Sequence, residues 1–333
     1  MRPGSRPCFV RADRDRFAHV FFEVTMLRKP LLLAARSATC RKIVERTPMT
    51  RAMVTRFVAG ATREEALPAV HELAEDRYVT LDFLGEDTTD LSQATATVEA
   101  YQDLLAALGE AGLGDRAEVS VKLSAVGQFL NADGEKIALE NARRIAEAAK
   151  AIGTTVTLDM EDHTTVDSTL GILRELREDF PFVGAVLQAY LRRTVADCRD
   201  LSGAGSRVRL CKGAYDEPDA VAYRRRREVD QSFVRCLEIL MAGQGLPMVA
   251  THDPRLIAIA RHLARRTGRG PADYELQMLY GVRPRAQAEL AAAGERVRVY
   301  LPYGTEWFGY FMRRLAERPA NLAFFLRSLA TRG

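Results

Sequence analysis

The chain has 333 residues, of which 47% are hydrophobic and 28% charged, a composition that excludes a wholly disordered chain, a collagen-like fibre and a small disulfide scaffold. The net charge of +4 is unevenly distributed: residues 1–56 hold 13 basic and 4 acidic residues, whereas residues 57–333 hold 35 basic and 40 acidic ones. The body of the protein is therefore mildly acidic, which argues against a nucleic-acid-binding face on it.

The N-terminal region predicts no leader and no membrane span. Its first 25 residues mix arginines with acidic residues, and no apolar run approaches the roughly 20 residues that cross a bilayer. We interpret residues 1–25 as a disordered extension, or as the result of a start site placed too far upstream, with Met26 as an alternative start. Residues 26–76 follow as a helical segment, in which Thr62 is the predicted N-cap of one helix.

Cysteine usage indicates a reducing compartment. The five cysteines are odd in number, widely spaced and free of any C-x-x-C pair, which argues against a disulfide framework. They are Cys8, Cys40, Cys198, Cys211 and Cys236. We therefore expect a cytoplasmic protein, with at most peripheral contact at the inner face of the membrane.

From residue 77 to the end, short β-prone runs alternate with amphipathic helical stretches. The predicted strands are Tyr78–Leu84, Glu118–Leu123, Thr155–Met160, Val183–Gln188, Val208–Lys212, Met248–Thr251, Tyr274–Met278 and Val297–Leu301. Because each crossover carries a helix, these strands are expected to pair in parallel. Eight such units are the number in a (β/α)8 TIM-like barrel, whereas a doubly wound sheet needs about five or six. We predict an α/β fold with the barrel over residues 77–333.

The helices between these strands are predicted from apolar residues at helical spacing. They are Thr88–Ala111, Glu135–Ala151, Thr165–Glu178, Thr194–Leu201, Asp219–Ala242, Pro254–Thr267, Pro284–Ala293 and Thr305–Glu317. Several begin with a capping residue or with proline in the first turn, where proline is tolerated. Their number and order support the barrel.

Polar residues gather where the predicted strands end, which is the end of such a barrel that carries the chemistry. They include Lys122, Asp159, Gln188, Arg209, Lys212, Thr251, His252, Glu275, Gln277 and Tyr300. The apolar Leu279 lies beside them, at the end of the seventh predicted strand. Burying so many polar groups is costly unless they are paired or used. We interpret Lys122, Asp159, Arg209 and Lys212 as functional; a layer of structural ion pairs at the barrel mouth is the alternative.

Two adjacent arginines stand in the last predicted helix. Arg313 and Arg314 point about 100° apart on a helix, and Glu317 lies within one turn of both, where it can orient either guanidinium. Two forked cations side by side suit bidentate capture of a carboxylate or a phosphate. A solvated basic face is the alternative, which the surrounding aromatic residues disfavour.

Other familiar sites are weak or absent in this sequence. It contains no Gly-x-x-x-x-Gly-Lys-Ser/Thr phosphate loop, and Gly203-Ala-Gly205 lacks both the third glycine and the position of a dinucleotide motif. The segment Asp159-Met-Glu-Asp-His163 is the one cluster that could hold a hard metal ion, and we expect no metal there. Cys211, within a predicted strand, is interpreted as a small core residue.

Seven segments, in this order, closely resemble bacterial monofunctional proline dehydrogenases. They are Lys122-Leu-Ser, Leu158-Asp-Met-Glu-Asp162, Leu187-Gln-Ala-Tyr-Leu191, Arg209-Leu-Cys-Lys-Gly-Ala-Tyr215, Ala250-Thr-His252, Gln277-Met-Leu and Tyr310-Phe-Met-Arg-Arg-Leu-Ala-Glu317. The resemblance covers about residues 27–331. It implies a distorted (β/α)8 barrel preceded by N-terminal helices, which binds FAD and oxidises L-proline to Δ1-pyrroline-5-carboxylate, the first step of proline catabolism.

The resemblance assigns substrate-binding roles to residues at the barrel mouth. Arg313 and Arg314 would hold the proline carboxylate, and Lys122 would reach it from the opposite side. Asp159 would orient that cluster as the catalytic acid of the site. The remaining substrate-binding residues would be Tyr215, Leu279 and Tyr300 around the pyrrolidine ring, and Glu317 behind the arginines. A tyrosine at position 300 resembles enzymes specific for proline, whereas relatives that oxidise hydroxyproline carry a smaller residue.

The same resemblance implies a flavin site and the partners of the reaction. Arg209 would lie near the reactive flavin nitrogen and favour the charge that develops there on reduction. The other flavin-binding residues would be Met160, Gln188, Lys212, Gly213, Ala214, Thr251 and His252. Electrons would pass to a quinone. The chain lacks room for a fused aldehyde dehydrogenase, so a separate pyrroline-5-carboxylate dehydrogenase would take the product.

Two other classes of protein remain open from the residues alone. Lys122 or Lys212 at a strand end could form a Schiff base, as in a barrel aldolase, with the arginine pair holding a substrate phosphate. A binding or regulatory barrel with a basic N-terminal arm is the second class. A flavin spectrum would argue against the aldolase, and loss of salt-sensitive binding on deletion of residues 1–25 would favour the arm.

Overall fold

The structure is a computed structural model and describes residues 53–85, 88–131 and 133–317. The chain forms two compact units, Phe57–Thr305 and Met1–Arg56 with Glu306–Gly333. The predictions for residues 1–25 and for most of the 26–76 segment fall outside the described residues. The helix capped by Thr62 is present, and the Thr62 hydroxyl accepts the backbone N–H of Glu65.

The first unit contains a closed barrel of eight parallel strands, which confirms the predicted (β/α)8 fold. The strands are β1 Tyr78–Phe83, β2 Ala117–Val121, β3 Val156–Leu158, β4 Gly184–Gln188, β5 Arg207–Cys211, β6 Leu246–Ala250, β7 Glu275–Leu279 and β8 Val297–Tyr303. Each pairs with the next in sequence, and β1 pairs with β8 to close the ring. Nearly every strand residue is buried, as expected of strands covered on both faces.

Helices follow the strands in the order that the sequence predicts. In the described part of the chain they are α1 Arg63–Ala74, α2 Leu91–Glu110, α3 Gly134–Ala151, α4 Val166–Asp179, α5 Thr194–Asp200, α6 Arg226–Ala242, α7 Pro254–Arg266, α8 Pro284–Ala292 and α9 Trp307–Glu317. Local chemistry sets several starts: the carboxylates of Asp90 and Asp253 accept the N–H groups of Gln93 and Arg255.

One helix prediction was wrong at its start: α6 begins at Arg226 and not at Asp219. The intervening residues are used to join two loops. Ala222 forms an isolated antiparallel bridge with Leu191, and the N–H of Tyr223 donates to the carbonyl of Tyr190 at 2.7 Å. Helical spacing continues through this segment in the sequence, but these contacts between loops hold the backbone in a different conformation.

The barrel interior holds a layer of ion pairs near its N-terminal end. Glu118 of β2 lies 2.6 Å from Arg207 of β5 and 3.8 Å from Arg298 of β8, contacts that three separated strands can make only across the barrel interior. Arg298 also pairs with Glu275 of β7 at 2.7 Å. Burial alone would raise the pKa of Glu118, but the arginines around it outweigh burial and hold the pKa well below its usual range.

Replacing Glu118 by glutamine is expected to lower the free energy of unfolding at pH 7 by about 3 kcal/mol, because buried guanidinium groups would lose their counter-charge. A lowered pKa in the folded state gives stability that is complete above the ordinary value of 4.5 and is lost as pH falls below it. Glu118→Gln should therefore also weaken acid destabilisation. Urea unfolding at pH 7 and pH 4 measures both effects. Glu175→Gln, at an exposed position on α4, is the control.

Candidate active site

At the C-terminal end of the barrel, strands β1, β2 and β3 bring three charged groups together. Lys122, directly after β2, places Nζ 2.7 Å from both carboxylate oxygens of Asp82 on β1. The same Nζ lies 3.8 Å from Asp159 Oδ2, at the end of β3. Asp82 is fully enclosed, whereas about a tenth of the Lys122 and Asp159 side chains remains exposed. Lys122 and Asp159 therefore reach the barrel mouth, whereas Asp82, which pairs with Lys122, lies beneath it.

Asp159 is the most heavily hydrogen-bonded carboxylate of this cluster. Its Oδ1 accepts from Arg209 Nη1 at 2.8 Å and from the Ser120 hydroxyl at 2.7 Å. Its Oδ2 accepts from the Tyr300 hydroxyl at 2.7 Å. The donors come from β5, β2 and β8, so that strands on opposite sides of the barrel fix one carboxylate. Such support from several rigid elements is what a preorganised site requires.

Arg209 links this cluster to the ion-pair layer below. Its Nε donates to Gln277 Oε1 at 2.7 Å, and its Nη2 lies 3.6 Å from Glu118 Oε1. The guanidinium also lies over the ring of Tyr300, 5.2 Å from the ring centroid. The side chain is nearly fully buried. A fixed positive charge is thus held directly under Asp159, at the depth where the barrel begins to open.

Burial and like charges shift the titration of two groups in the cluster. Burial raises the pKa of Asp82; Lys122 opposes this rise, whereas the negative charge of Asp159 adds to it. Burial also raises the pKa of Tyr300 well above its usual value, with Asp159 and Asp82 adding to the effect. Tyr300 therefore remains a protonated donor to Asp159 at neutral pH. Strongly perturbed groups of this kind cluster at functional sites more often than elsewhere.

The structure thus brings Lys122, Asp159, Arg209 and Tyr300 together, as the sequence predicts, but not Lys212. Lys212 Nζ pairs instead with Asp230 of α6 at 2.5 Å and lies 3.9 Å from Asp253. Lys212 follows β5, Asp230 lies on α6 and Asp253 follows β6. Lys212 is thus apart from the cluster, although Arg209 of the same strand belongs to it, and the functional roles of all four residues remain predictions.

The residues assigned to the flavin occupy the ends of β3 to β6. Met160 is buried after β3, and Gln188 Nε2 donates to the carbonyl of Glu161 at 2.6 Å. The Thr251 hydroxyl accepts the N–H of Asp253 at 3.1 Å, and His252 Nε2 accepts the N–H of Leu279 at 2.9 Å. Their flavin contacts remain predictions.

The loop after β5 carries Gly213, Ala214 and Tyr215, all half-buried. Gly213 has φ of +107°, and a Cβ there would lie 2.2 Å from the ring of Tyr190. Leu279 ends β7, and its amide is tied to His252. These positions line the end of the barrel that also holds Lys122. Their contacts with substrate remain predictions.

Arg313 and Arg314 lie on α9, in the second compact unit, and both are half-buried. Within this helix, the Arg314 guanidinium lies over the ring of Tyr310, 5.1 Å from its centroid, and Trp307 packs edge-on against Phe311. The side chain of Glu317 lies outside the described residues. The predicted capture of a carboxylate by this pair therefore remains a prediction.

Sequence reasoning missed two buried carboxylates of this end of the barrel. Asp82 lies within a strand that was correctly predicted, and the one signal for it was an acidic residue in an otherwise apolar run. Glu217, in the loop after β5, contacts His163 and Tyr190, 54 and 27 positions away. No local sequence pattern predicts a residue whose partners are so distant in the sequence.

The segment Asp159-Met-Glu-Asp-His163 does not gather its side chains around one point. Glu161 accepts from the Ser124 hydroxyl at 2.7 Å, and His163 pairs with Glu217. Among the described residues no group of three or more metal-ligating side chains is found.

Burial raises the pKa of Cys211 to about 11, so its thiol is protonated at neutral pH. Within the described part of the chain, no helix is both long and apolar enough to cross a bilayer.

A barrel with charged groups gathered at the C-terminal ends of its strands is the arrangement that barrel enzymes use for their active sites. The family model for proline dehydrogenase matches residues 66–327. The chain is 39% identical to proline dehydrogenase 1 of Bacillus subtilis over 305 residues, which cover 91% of this chain and 99% of that protein. It is 42% identical to proline dehydrogenase of Deinococcus radiodurans over 280 residues, covering 83% and 90% of the two chains.

This chain belongs to the proline dehydrogenase family, a class of flavin oxidoreductases, as the resemblance of its motifs predicted. A crystal structure of proline utilization A from Bdellovibrio bacteriovorus is similar in fold, with a TM-score of 0.76 and 24% identity. The similarity covers 90% of this chain and 37% of that longer one. This chain therefore matches only the corresponding part of the longer protein.

Proposed function

We propose that this chain oxidises L-proline to Δ1-pyrroline-5-carboxylate with FAD as its cofactor and a quinone as the final electron acceptor. The observation that carries the proposal is the cluster of Lys122, Asp159, Arg209 and Tyr300 at the mouth of a barrel whose family is proline dehydrogenase. A small substrate that carries both a carboxylate and an amine matches a site with paired positive and negative groups.

The residues present are compatible with a flavin. Arg209 Nη2 is buried and makes no hydrogen bond in the described part of the chain, although Glu118 lies nearby. A cation held in this way suits the negative charge of a reduced isoalloxazine. Gln188, Lys212, Thr251 and His252, together with the backbone of Gly213 and Ala214, would hold the flavin. FAD, when bound, would supply the hydride acceptor.

The chain's own residues would orient the substrate and exclude water. Lys122, Arg313 and Arg314 would bind the carboxylate by charge-assisted hydrogen bonds, which fixes the direction of the ring. Tyr215, Leu279 and Tyr300 would enclose the pyrrolidine ring and keep water away from it. Asp159, held on both oxygens, would keep Tyr300 and Arg209 in place. The substrate amine must enter the reaction without its extra proton.

An anaerobic titration tests this function directly. The purified protein is expected to show flavin absorption at about 450 nm, and L-proline should bleach that band. D-proline, which presents the carboxylate in the opposite hand, is the control. A protein without flavin bands, or bands that L-proline leaves unchanged, would overturn the proposal. Turnover with a soluble quinone analogue, followed in the same sample, tests the electron acceptor.

A barrel aldolase receives no support from these contacts. Its Schiff base would need an unprotonated lysine at a strand end. Lys122 is instead bound by both oxygens of Asp82, and Lys212 by Asp230. Each amine is thus held in an ion pair with a carboxylate, which is not the arrangement that attack on a substrate carbonyl needs.

A further inference from the structure

Glu217 is a buried carboxylate that the proposed chemistry does not use. It lies in the loop between β5 and α6, with 4% of its side chain exposed. Its Oε1 accepts the backbone N–H of His163 at 2.9 Å and the hydroxyl of Tyr190 at 3.2 Å. Its Oε2 pairs with Nδ1 of the His163 ring. One carboxylate is thus bound by three groups, and a buried charge persists only when it is bound in this way.

These three groups belong to the loops after three consecutive strands. His163 follows β3 and the Asp159 that ends it, Tyr190 follows β4, and Glu217 follows β5 two residues beyond Tyr215. The backbone reinforces the same junction, since the N–H of Tyr190 donates to the carbonyl of Lys212 at 2.9 Å. Glu217 therefore stands at a point where all three loops meet.

The ring of Tyr190 transmits this anchoring to the backbone beside the site. The ring packs so closely on Gly213 that a Cβ at that position would lie within 2.6 Å of three of its atoms. Burial, together with the nearby Glu217, raises the pKa of Tyr190 far above its usual value, so the hydroxyl stays a donor. The hydrogen bond to Glu217 holds the Tyr190 ring in place, and that ring limits where the backbone of Gly213 can lie.

We propose that Glu217 is a positioning residue, which holds the loop of Gly213, Ala214 and Tyr215 in the conformation that binds flavin and substrate. The inference rests on the proposed function for the roles of those three residues. It predicts that loss of the carboxylate loosens this loop while the barrel itself stays folded. Misplacement of supporting groups by about 1 Å can reduce rates about 10²-fold.

Glu217→Ala is expected to raise the KM for L-proline and the dissociation constant for the flavin at least tenfold each. Glu217→Gln should restore most of both, because its amide oxygen still accepts from His163 and Tyr190. Asp219→Asn, which removes an exposed carboxylate from the same loop, is the matched control and should change neither constant. A merely structural role would lower the unfolding midpoint without separating the glutamine variant from the alanine variant in KM.

Amide hydrogen exchange measures how often this loop opens, and it needs no added substrate. In the protein as purified, amides of residues 213–223 should exchange at least tenfold faster in Glu217→Ala than in wild type, whereas the strands should not change. Unchanged exchange in this loop would overturn the role of Glu217, whatever the enzyme's substrate. A wild-type protein that does not oxidise L-proline would overturn the proposed function instead. Should Glu217→Ala fail to fold, the double variant His163→Ala/Tyr190→Phe takes its place, with the same expected result.

Discussion

Replacing Arg209 by methionine is expected to lower kcat/KM for L-proline about 10²- to 10³-fold, the cost of removing one preorganised electrostatic group from an active site. Asp159 would lose its charged donor, and Gln277 would lose its partner. The midpoint potential of the bound flavin should fall as well, since the charge of the reduced form would be less stabilised. Steady-state kinetics and a spectroelectrochemical titration measure the two effects.

Arg209→Lys separates charge from geometry in this prediction. Lysine keeps the positive charge but cannot donate from three nitrogens, so the potential should recover more than kcat/KM does. Loss of the 3.6 Å contact with Glu118 adds some destabilisation, which thermal unfolding records separately. A methionine variant whose kcat/KM stays within threefold of wild type would contradict the assignment of Arg209 to the catalytic site.

Replacing Arg313 or Arg314 by methionine is expected to raise the KM for L-proline and to lower kcat/KM about 10²-fold. Each guanidinium is assigned to the substrate carboxylate, and a charge-assisted hydrogen bond contributes roughly 1.5–3 kcal/mol. Tyr310 lies against Arg314 within α9, so methionine keeps the aliphatic packing while it removes the fork. Initial rates over a range of proline concentrations separate KM from kcat.

Arg174→Met is the control for this pair, because it removes an exposed arginine from α4, away from the strand ends that carry the site. Lysine at position 313 or 314 should recover part of the affinity, since a point charge still attracts a carboxylate but binds it through fewer hydrogen bonds. Near-normal proline kinetics in both methionine variants would refute the carboxylate assignment.

The barrel was predictable because its strands are covered on both faces. Short, mostly apolar runs stand out against amphipathic helices, and β1 was placed within one residue of its observed end. The start of α6 was not predictable, since residues 219–225 have helical spacing but are held by Leu191 and Tyr190, which lie about 30 positions earlier. Local propensity is overridden wherever a loop has a distant partner.

Part of the candidate site was predictable from polar residues at or near the ends of the predicted strands. Lys122 and Asp159 directly follow β2 and β3, and Tyr300 is the next-to-last residue of the eighth predicted strand, at the end that the barrel rule marks as functional. Asp82 lies inside β1, where its neighbours are apolar, so its pairing with Lys122 depends on the register of β1 against β2. Glu217 depends on three loops meeting, which no pattern in a single segment encodes.

The pairing of β1 with β8, which closes the barrel, affects how the chain folds as it is synthesised. Arg298 of β8 donates to the carbonyl of Val79 in β1, 219 positions earlier, and Tyr300 donates to Asp159, 141 positions earlier. A nascent chain that has not yet reached residue 303 has two open sheet edges and an incomplete site. Such long loops must close before these contacts contribute, which slows folding. Among the described residues β8 is the last strand in the sequence, and it both closes the barrel and brings Tyr300 to Asp159.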